Sequence, residues 1–323
     1  MINGSLIIGL GQIGMEYDID ISTDTSVFTH ANAFSSHKDF ELLGAIDPSD
    51  EKRSRFTMRY NKPAFSDLTE ALQYIDPRII VIASPTNNHI DILGEVLELC
   101  KPIAIICEKP LSYEIKDSRL MIDLCEQKGV KLFVNYMRRS DLGVIEVKNR
   151  ISKGLIAGPF KGVAWYSKGF FHNGSHFFNL LEFWLGDYQS SKIISEGRLW
   201  NGQDPEPDVF IEFELGTITF LAAWEESFSH YTIELLSHSG RLRYEKGGEL
   251  ITWQAIYADP SFQGYTILKD PPEIIPNSMS RYQWHVAEQL SRALNGKPSS
   301  ICTGREGLKT LECMNQIIKN IQL

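Results

Sequence analysis

Long apolar runs are missing from this chain. No window approaches the ~18 to 20 consecutive apolar residues of a membrane helix, and the apolar start Leu6-Ile7-Ile8 is cut at once by Gly9 and Gly11. It lacks the basic flank and long apolar core of a secretory signal. Excess positive charge is missing too: 32 Lys and Arg stand against 41 Asp and Glu, a net charge of −9. No overall field draws phosphate backbones or anionic lipid, so neither nucleic acid nor membrane is an expected partner, and a cytoplasmic setting is expected. The cysteines, Cys100, Cys107, Cys125, Cys302 and Cys313, are few, widely spaced and never arranged as Cys-x-x-Cys. They read as buried reduced thiols. The glycosylation sequons at Asn3 and Asn173 carry no weight without an export signal. Gly-x-Ser-x-Gly and the phosphate-loop lysine motif are both absent, which leaves hydrolase and nucleotidase readings without support.

What is present is length and alternation. The 323 residues, 43% hydrophobic and 23% charged, suffice for two full cores. Up to about residue 138, short β-branched runs alternate with amphipathic segments, the pattern of a parallel sheet with crossover helices. Strands are expected at residues 5–9, 40–46, 79–83, 103–107 and 131–135. Helical stretches open at Ser66-Asp67, run over residues 88–99 and cover residues 116–127. Beyond Arg139 the texture changes to alternating strands separated by Gly and Ser turns, at residues 209–215, 217–224, 231–236, 241–245 and 250–257. Hairpin-linked neighbours predict an antiparallel sheet. Two helices close the chain, the first capped by Ser280, the second opened by the capping-box spacing of Thr303 and Glu306. The expected fold class is α/β, with a doubly wound parallel sheet over residues 1–138. A second, α+β domain on an open, mostly antiparallel sheet is expected over residues 139–323.

Gly9-Leu10-Gly11-Gln12-Ile13-Gly14 directly follows the first strand. There the first Gly permits a tight turn, the second lets a pyrophosphate approach the backbone, and the third allows close helix–strand packing. Such a dinucleotide site calls for an acidic residue ~20 residues on, at the end of the second strand. Asp47 holds that place but lies 33 residues after Gly14, an excess of about 13 over the usual spacing. The acidic, poorly periodic residues 15–28 therefore read as an inserted loop, one that displaces the phosphate-binding helix end or precedes it as an ordered lid. A carboxylate at Asp47 favours NAD over NADP because it repels a 2′-phosphate. Two further strand ends, Ser84-Pro85-Thr86-Asn87 with His89, and Glu108-Lys109-Pro110, border the same crevice, since ligands of open α/β sheets bind at strand carboxyl ends. Lys109 is placed there to act on a substrate.

These residues, with Asn135-Tyr136-Met137-Arg138-Arg139 and Gly174-Ser175-His176, resemble the Gfo/Idh/MocA family of oxidoreductases over essentially the whole chain. The resemblance implies a Rossmann domain followed by an α/β domain whose outer sheet face mediates homodimers or homotetramers. It implies NAD(P) and hydride transfer at a hydroxyl or carbonyl carbon of a sugar, cyclitol or nucleotide sugar. Its catalytic pair falls on Lys109 and His176, with His172 as a further proton carrier. Cofactor contacts fall on Gly9, Gly11, Gln12, Ile13, Gly14, Asp47, Ser84, Pro85, Thr86, Asn87, His89, Glu108, Lys109 and Arg138. Substrate contacts fall on Lys109, Arg139, His172, Asn173, His176 and Asn179. Many members carry Asp where this chain has His172 and Asn179, and a neutral Asn179 cannot stabilise an imidazolium as a carboxylate does.

Plainer readings stand beside these. Arg138 and Arg139 equally suit a boundary salt bridge, and the Phe and Trp stripe of residues 170–184 suits core and pocket wall. His172 and His176 are four apart, but the intervening Gly174 and the lack of a third ligand at useful spacing argue against metal. Changed Asp positions keep open a nucleotide-dependent sensor without turnover, and an enzyme that recycles bound NAD during epimerisation or elimination is a third option.

Overall fold

Residues 79–82 (IIVI) and 104–107 (AIIC) are buried at every position, as strands covered on both faces must be. They lie in the first of two compact units, residues 1–140 with 280–309; the second is 141–279 with 310–323. This computed structural model describes residues 2–21 and 26–319. The first unit begins with β1 (Asn3–Ile8), α1 (His30–Ser36), β2 (Phe40–Ile46), α2 (Asp50–Tyr60), β3 (Ala64–Phe65), α3 (Leu68–Ala71) and β4 (Ile79–Ile82). It continues with α4 (His89–Leu99), β5 (Ala104–Cys107), α5 (Ile115–Gln127) and β6 (Lys131–Val134). The strand order β6-β5-β4-β1-β2-β3 is parallel throughout. It reverses direction between β1 and β4, the switch point where doubly wound sheets open a crevice.

The inserted segment is spliced into a helix without breaking its register. Met15 N donates to Gly11 O and Tyr17 N to Gln12 O, which makes one helical turn; the ladder then resumes with His30 N on Ile13 O and Ala31 N on Gly14 O, both 3.0 Å. In an uninterrupted helix those carbonyls would serve residues 17 and 18. His30 and Ala31 take these places 13 positions later, so the phosphate-facing end is not displaced. Asp18 makes the return possible. Its buried carboxylate accepts from Phe28 N (2.6 Å), Thr29 N (3.1 Å), Thr29 Oγ1 (2.6 Å) and Asn32 Nδ2 (3.0 Å), satisfying amides that re-entry would otherwise leave bare. Ile19 and Val27 bury their side chains beside it. Residues 22–25 of the expected loop lie outside the described residues.

The second unit contains α6 (Leu142–Ser152), β7 (Phe160–Tyr166), α7 (Ser175–Leu185), β8 (Tyr188–Trp200), β9 (Asp204–Phe213), β10 (Gly216–Ala222), β11 (Thr232–Ser237), β12 (Gly240–Glu245), β13 (Leu250–Ala258), β14 (Thr266–Leu268) and β15 (Glu273–Ile274). Its sheet runs β14-β13-β12-β11-β7-β10-β9-β8, antiparallel except where β10 lies parallel to β7. The inner face, with Ile218, Phe220, Ile233, Leu235, Leu242 and Tyr244, joins Phe177, Phe178, Leu181 and Trp184 of α7 in one core. The aromatic stripe is thus largely core.

The chain then returns to the first unit through α8 (Tyr282–Leu294) and β16 (Cys302–Thr303), and ends with α9 (Gly304–Ile318). This departs from the expectation that everything after residue 139 forms one domain. Val286, Ala287 and Leu290 of α8 are buried with Phe34, Ile7 and Val81, and β16 adds an antiparallel edge to β6. The Thr303–Glu306 capping box is present, with Thr303 N on Glu306 Oε2 (2.8 Å) and Glu306 N on Thr303 Oγ1 (3.3 Å). Ser280 does not cap α8: the position before its first turn is Arg281, without a side-chain cap, and Ser280 O instead accepts Val27 N. Among the described residues no helix is long and apolar enough to cross a membrane.

Excising residues 16–28 should join Met15 to Thr29 in one continuous helix. The variant is expected to unfold cooperatively in urea, weakened by about 2 to 5 kcal/mol for the lost Ile19 and Val27 burial. A non-cooperative transition would show that the splice is essential to the helix.

Candidate functional site

The three loop glycines answer to different constraints. Gly9 has φ +104, and a Cβ there would stand 2.7 Å from the Ala83 carbonyl; at Gly14 it would stand 2.1 Å from Gly9 O. Both are required by the protein's own packing. A Cβ at Gly11 would meet nothing within 4 Å, so that glycine answers to no neighbour in the described chain and keeps the loop backbone open to a ligand. Gln12 is exposed and Ile13 half-buried on the following turn.

Beside the loop lies a cleft of about 500 Å³ walled by Gly9, Gly11, Asp47, Lys52, Ser84 and Pro85. Asp47 directly follows β2, where its Oδ2 accepts Leu10 N (2.8 Å) and its Oδ1 accepts Ser49 N (2.9 Å). Both oxygens retain a lone pair for a ribose hydroxyl. Arg53 turns away from the carboxylate, donating to the Asp47 carbonyl at 2.7 Å and pairing with Asp50. Ser84 Oγ, at the end of β4, is buried without a hydrogen-bond partner among the described residues, a donor of the kind a bound polar ligand satisfies. Pro85, Thr86 and Asn87 follow on a short turn leading into α4. The donor set, the bare Gly11 and the acidic β2 end fit a dinucleotide.

His89 sits differently from the expected cofactor contact. It is fully buried, and its Nε2 and Nδ1 face Ser84 O (2.9 Å) and Leu111 O (3.1 Å). The ring therefore ties together the loops after β4 and β5 and has no edge left to offer a ligand. Glu108 and Lys109 follow β5, with Glu108 N on Ile82 O at 2.9 Å. Burial would raise the Glu108 carboxyl, but the hydrogen bond and charge of His30, the Asn135 amide and the Lys109 charge hold it below the ordinary value. Arg138 and Arg139 are both buried. Arg139 Nη2 meets Glu306 Oε1 at 2.6 Å, the boundary salt bridge considered above. Burial opposes ionisation of Glu306 as well, yet Arg139 and the Thr303 hydrogen bonds keep it below its usual range. Burial pushes the thiols of Cys100 and Cys125 up, to about 11 and about 12, and Cys107 well above normal. None of these three is an activated nucleophile.

In the second unit a wide π-type turn over Gly169–Gly174 leads into α7. Asp204 at the start of β9 holds it, Oδ1 accepting Phe171 N (3.0 Å) and Oδ2 accepting His172 N (2.7 Å); Glu206 Oε1 accepts Gly169 N at 2.9 Å. At Gly169, φ is +78 and a Cβ would strike Asp204. Burial raises the Asp204 carboxyl, partly offset by these amides. His172 is exposed and stacks on Trp200 with ring centres 4.9 Å apart; Asn173 is half-buried. His176 is buried in the first turn of α7. Asn179 lies deeper, with Nδ2 donating to Thr310 Oγ1 (2.9 Å), whose hydroxyl donates to Glu182 at 2.5 Å. Sequence reasoning missed Asp204, Trp200 and Asp18. Of these only Asp204 has a signal in the sequence, the alternating prolines of Asp204-Pro205-Glu206-Pro207, because they confine a strand to places where ladder donors are not needed.

Residues 4–136 match the family model described as an oxidoreductase family with an NAD-binding Rossmann fold. A scyllo-inositol 2-dehydrogenase (NAD(+)) of Bacillus subtilis is 26% identical over 235 residues, 65% of this chain and 64% of that protein. The chain thus aligns with under two thirds of that relative. Among solved structures, an aldose-aldose oxidoreductase of Caulobacter crescentus complexed with glycerol superposes with a TM-score of 0.77 at 16% identity, covering 99% of this chain and 97% of the other. The WlbA dehydrogenase of Bordetella pertussis, in complex with NADH and UDP-GlcNAcA, gives 0.74 at 18% identity, covering 99% and 97%. Those two likenesses carry the two-part fold from end to end. With the glycine loop, the acidic residue after β2 and the Glu108-Lys109-Pro110 element in place, residues 4–136 are similar to the NAD-binding Rossmann fold of the Gfo/Idh/MocA oxidoreductases.

Proposed function

We propose that the protein is an NAD-dependent dehydrogenase or reductase acting on a CH–OH carbon of a sugar, cyclitol or nucleotide sugar. The observation that carries this reading is Gly11, left open where Gly9 and Gly14 are closed by their own neighbours, in the same cleft as Asp47. The inositol dehydrogenase relative and the sugar-handling neighbours support the substrate class. Bound NAD supplies the hydride acceptor or donor at its nicotinamide ring. The residues of the chain supply position and proton transfer. The backbone of residues 9–14 and Ser84 hold the phosphates and Asp47 the adenosine ribose. Lys109 donates to the reacting oxygen and His176 takes the hydroxyl proton, with His172, Asn173, Asn179 and Arg139 as the further substrate-side set. His172 is the most accessible of these.

NAD is favoured over NADP by Asp47. A phosphate charge about 5 Å from a carboxylate is opposed by roughly 3 kcal/mol at an effective dielectric of about 20. The five free cysteines suit a reducing, cytosolic setting. A homodimer or homotetramer is proposed through the outer sheet face, where Trp165, Phe210 and Leu236 are exposed.

Gly11→Val is expected to leave the thermal midpoint near that of the wild type while weakening NADH at least tenfold in a fluorescence titration. Gly14→Ala should instead lower stability by about 2 kcal/mol or more. Equal effects of the two would remove the argument from Gly11. With a panel of polyols, aldoses and nucleotide sugars, absorbance at 340 nm should report turnover with NAD. Lys109→Met should cut kcat by about a hundredfold or more and leave NADH affinity within about threefold. Unchanged turnover would sink the role of Lys109, while NAD that copurifies without net reduction would favour internal recycling.

A further inference from the structure

The turn that carries His172 is gripped by one face of a hairpin. β8 ends at Trp200 and β9 starts at Asp204. Between them Asn201 and Gly202 take φ of 50 and 70, which an Asn-Gly pair adopts at little cost, and Gln203 N closes the reversal on Trp200 O at 3.1 Å. The pairing sets Trp200 against Asp204 and Arg198 against Glu206. Partners across an antiparallel pair share a face, as do residues two apart along a strand, so these four side chains stand together.

Three of them reach the turn over Gly169–Gly174. Glu206 Oε1 accepts Gly169 N at 2.9 Å, and Asp204 accepts Phe171 N at 3.0 Å and His172 N at 2.7 Å. Trp200 meets the His172 ring itself, with centres 4.9 Å and planes 22° apart. Arg198 supports the arrangement from beside: its Nε donates to the buried Glu206 at 2.7 Å and its Nη2 to Ala223 O at 2.9 Å, while its guanidinium lies 5.1 Å from the Trp224 ring centre.

The backbone bonds and the stack restrain different things. The Asp204 carboxylate fixes the His172 amide, and so the point from which the side chain leaves, but χ1 and χ2 are two further rotations. On an exposed residue those rotations carry entropy that a productive pose must give up. A stack restrains both through the face of the ring and consumes neither ring nitrogen. An indole face also accepts a charged imidazole as well as a neutral one, so the ring stays held through a proton transfer.

We propose that Trp200 is a positioning residue for His172: it holds the imidazole in one orientation toward the substrate while Asp204, opposite it on the hairpin, holds the backbone. This rests on the substrate-side role given to His172 above.

The test reads the His172 ring directly and needs no turnover. Protein containing histidine labelled with ¹³C at Cε1 is followed by NMR, and His172→Gln identifies the His172 signal by its loss among the eight histidines. The indole ring current should displace that signal upfield. Trp200→Leu should abolish the displacement, and Trp200→Phe, which restores an aromatic face, should retain part of it. Trp224→Leu, which removes the neighbouring stack on Arg198, should leave it in place. With any sugar that is turned over, Trp200→Leu should lower kcat by about tenfold with NADH affinity unchanged, and Trp200→Phe should recover most of the loss. An unmoved His172 signal in Trp200→Leu, or an equal movement in Trp224→Leu, overturns the proposal. Loss of the displacement with kcat unaltered overturns it as well. The expected NMR changes without turnover on any sugar would keep Trp200 as the group that holds His172 and overturn only the substrate-side reading of that histidine.

Discussion

The nucleotide end of the molecule depends on one helix ladder that keeps its register across residues that are not helical. Ile13 and Gly14 offer their carbonyls to His30 and Ala31 as they would to the next turn of an unbroken helix. The consequences run in both directions. Gly14 can approach Gly9 closely enough to exclude any Cβ, which sets the loop against β1 and β4 and leaves Gly11 open. His30 enters at the helix position from which it reaches Glu108. Had the insertion shifted the ladder by one residue, the side chain would have rotated by about 100° around the axis and pointed elsewhere.

Buried and half-buried acids do much of the remaining positioning, and each does so as an acceptor of amide or side-chain hydrogens. Asp18 closes the splice, Asp47 ties β2 to the glycine loop, Glu108 ties the end of β5 to Asn135 after β6, and Asp204 shapes the turn before α7. An unpaired buried carboxylate is costly, while one that accepts two or three hydrogens is held in place by the same desolvation that would otherwise oppose it. The net charge of −9 therefore says little about whether a nucleotide binds. What matters is where the carboxylates have their partners.

The parallel half was legible because fully buried strands must be written in apolar residues: the expected residues 40–46 match β2, and the other four strands agree to within a residue or two. The 13-residue excess before Asp47 was legible as well, since helix and strand spacings are fixed by geometry, though spacing alone did not say that the helix resumes in register. β8 escaped notice because its 13 residues are mostly exposed and polar, without the alternation that marks a half-buried strand. β7 was hidden by partners far away in sequence, one parallel and one antiparallel. The return of α8 to the first unit and the hydrogen bonds of Gln283 to Asn135 and His30 are tertiary facts. A single glutamine on an amphipathic helix has the same appearance in sequence whether it faces water or a buried histidine.

The central claim is that the cleft at Gly11 and Asp47 takes a dinucleotide whose adenosine ribose carries no 2′-phosphate. Calorimetric titration of the purified protein with NADH and with NADPH at matched ionic strength tests it most directly. Roughly 3 kcal/mol of repulsion at Asp47 corresponds to about a hundredfold, so NADH should bind at least tenfold more tightly, and Asp47→Ser should close most of that gap. Equal or tighter binding of NADPH by the unaltered chain, or no binding of either, would contradict the account.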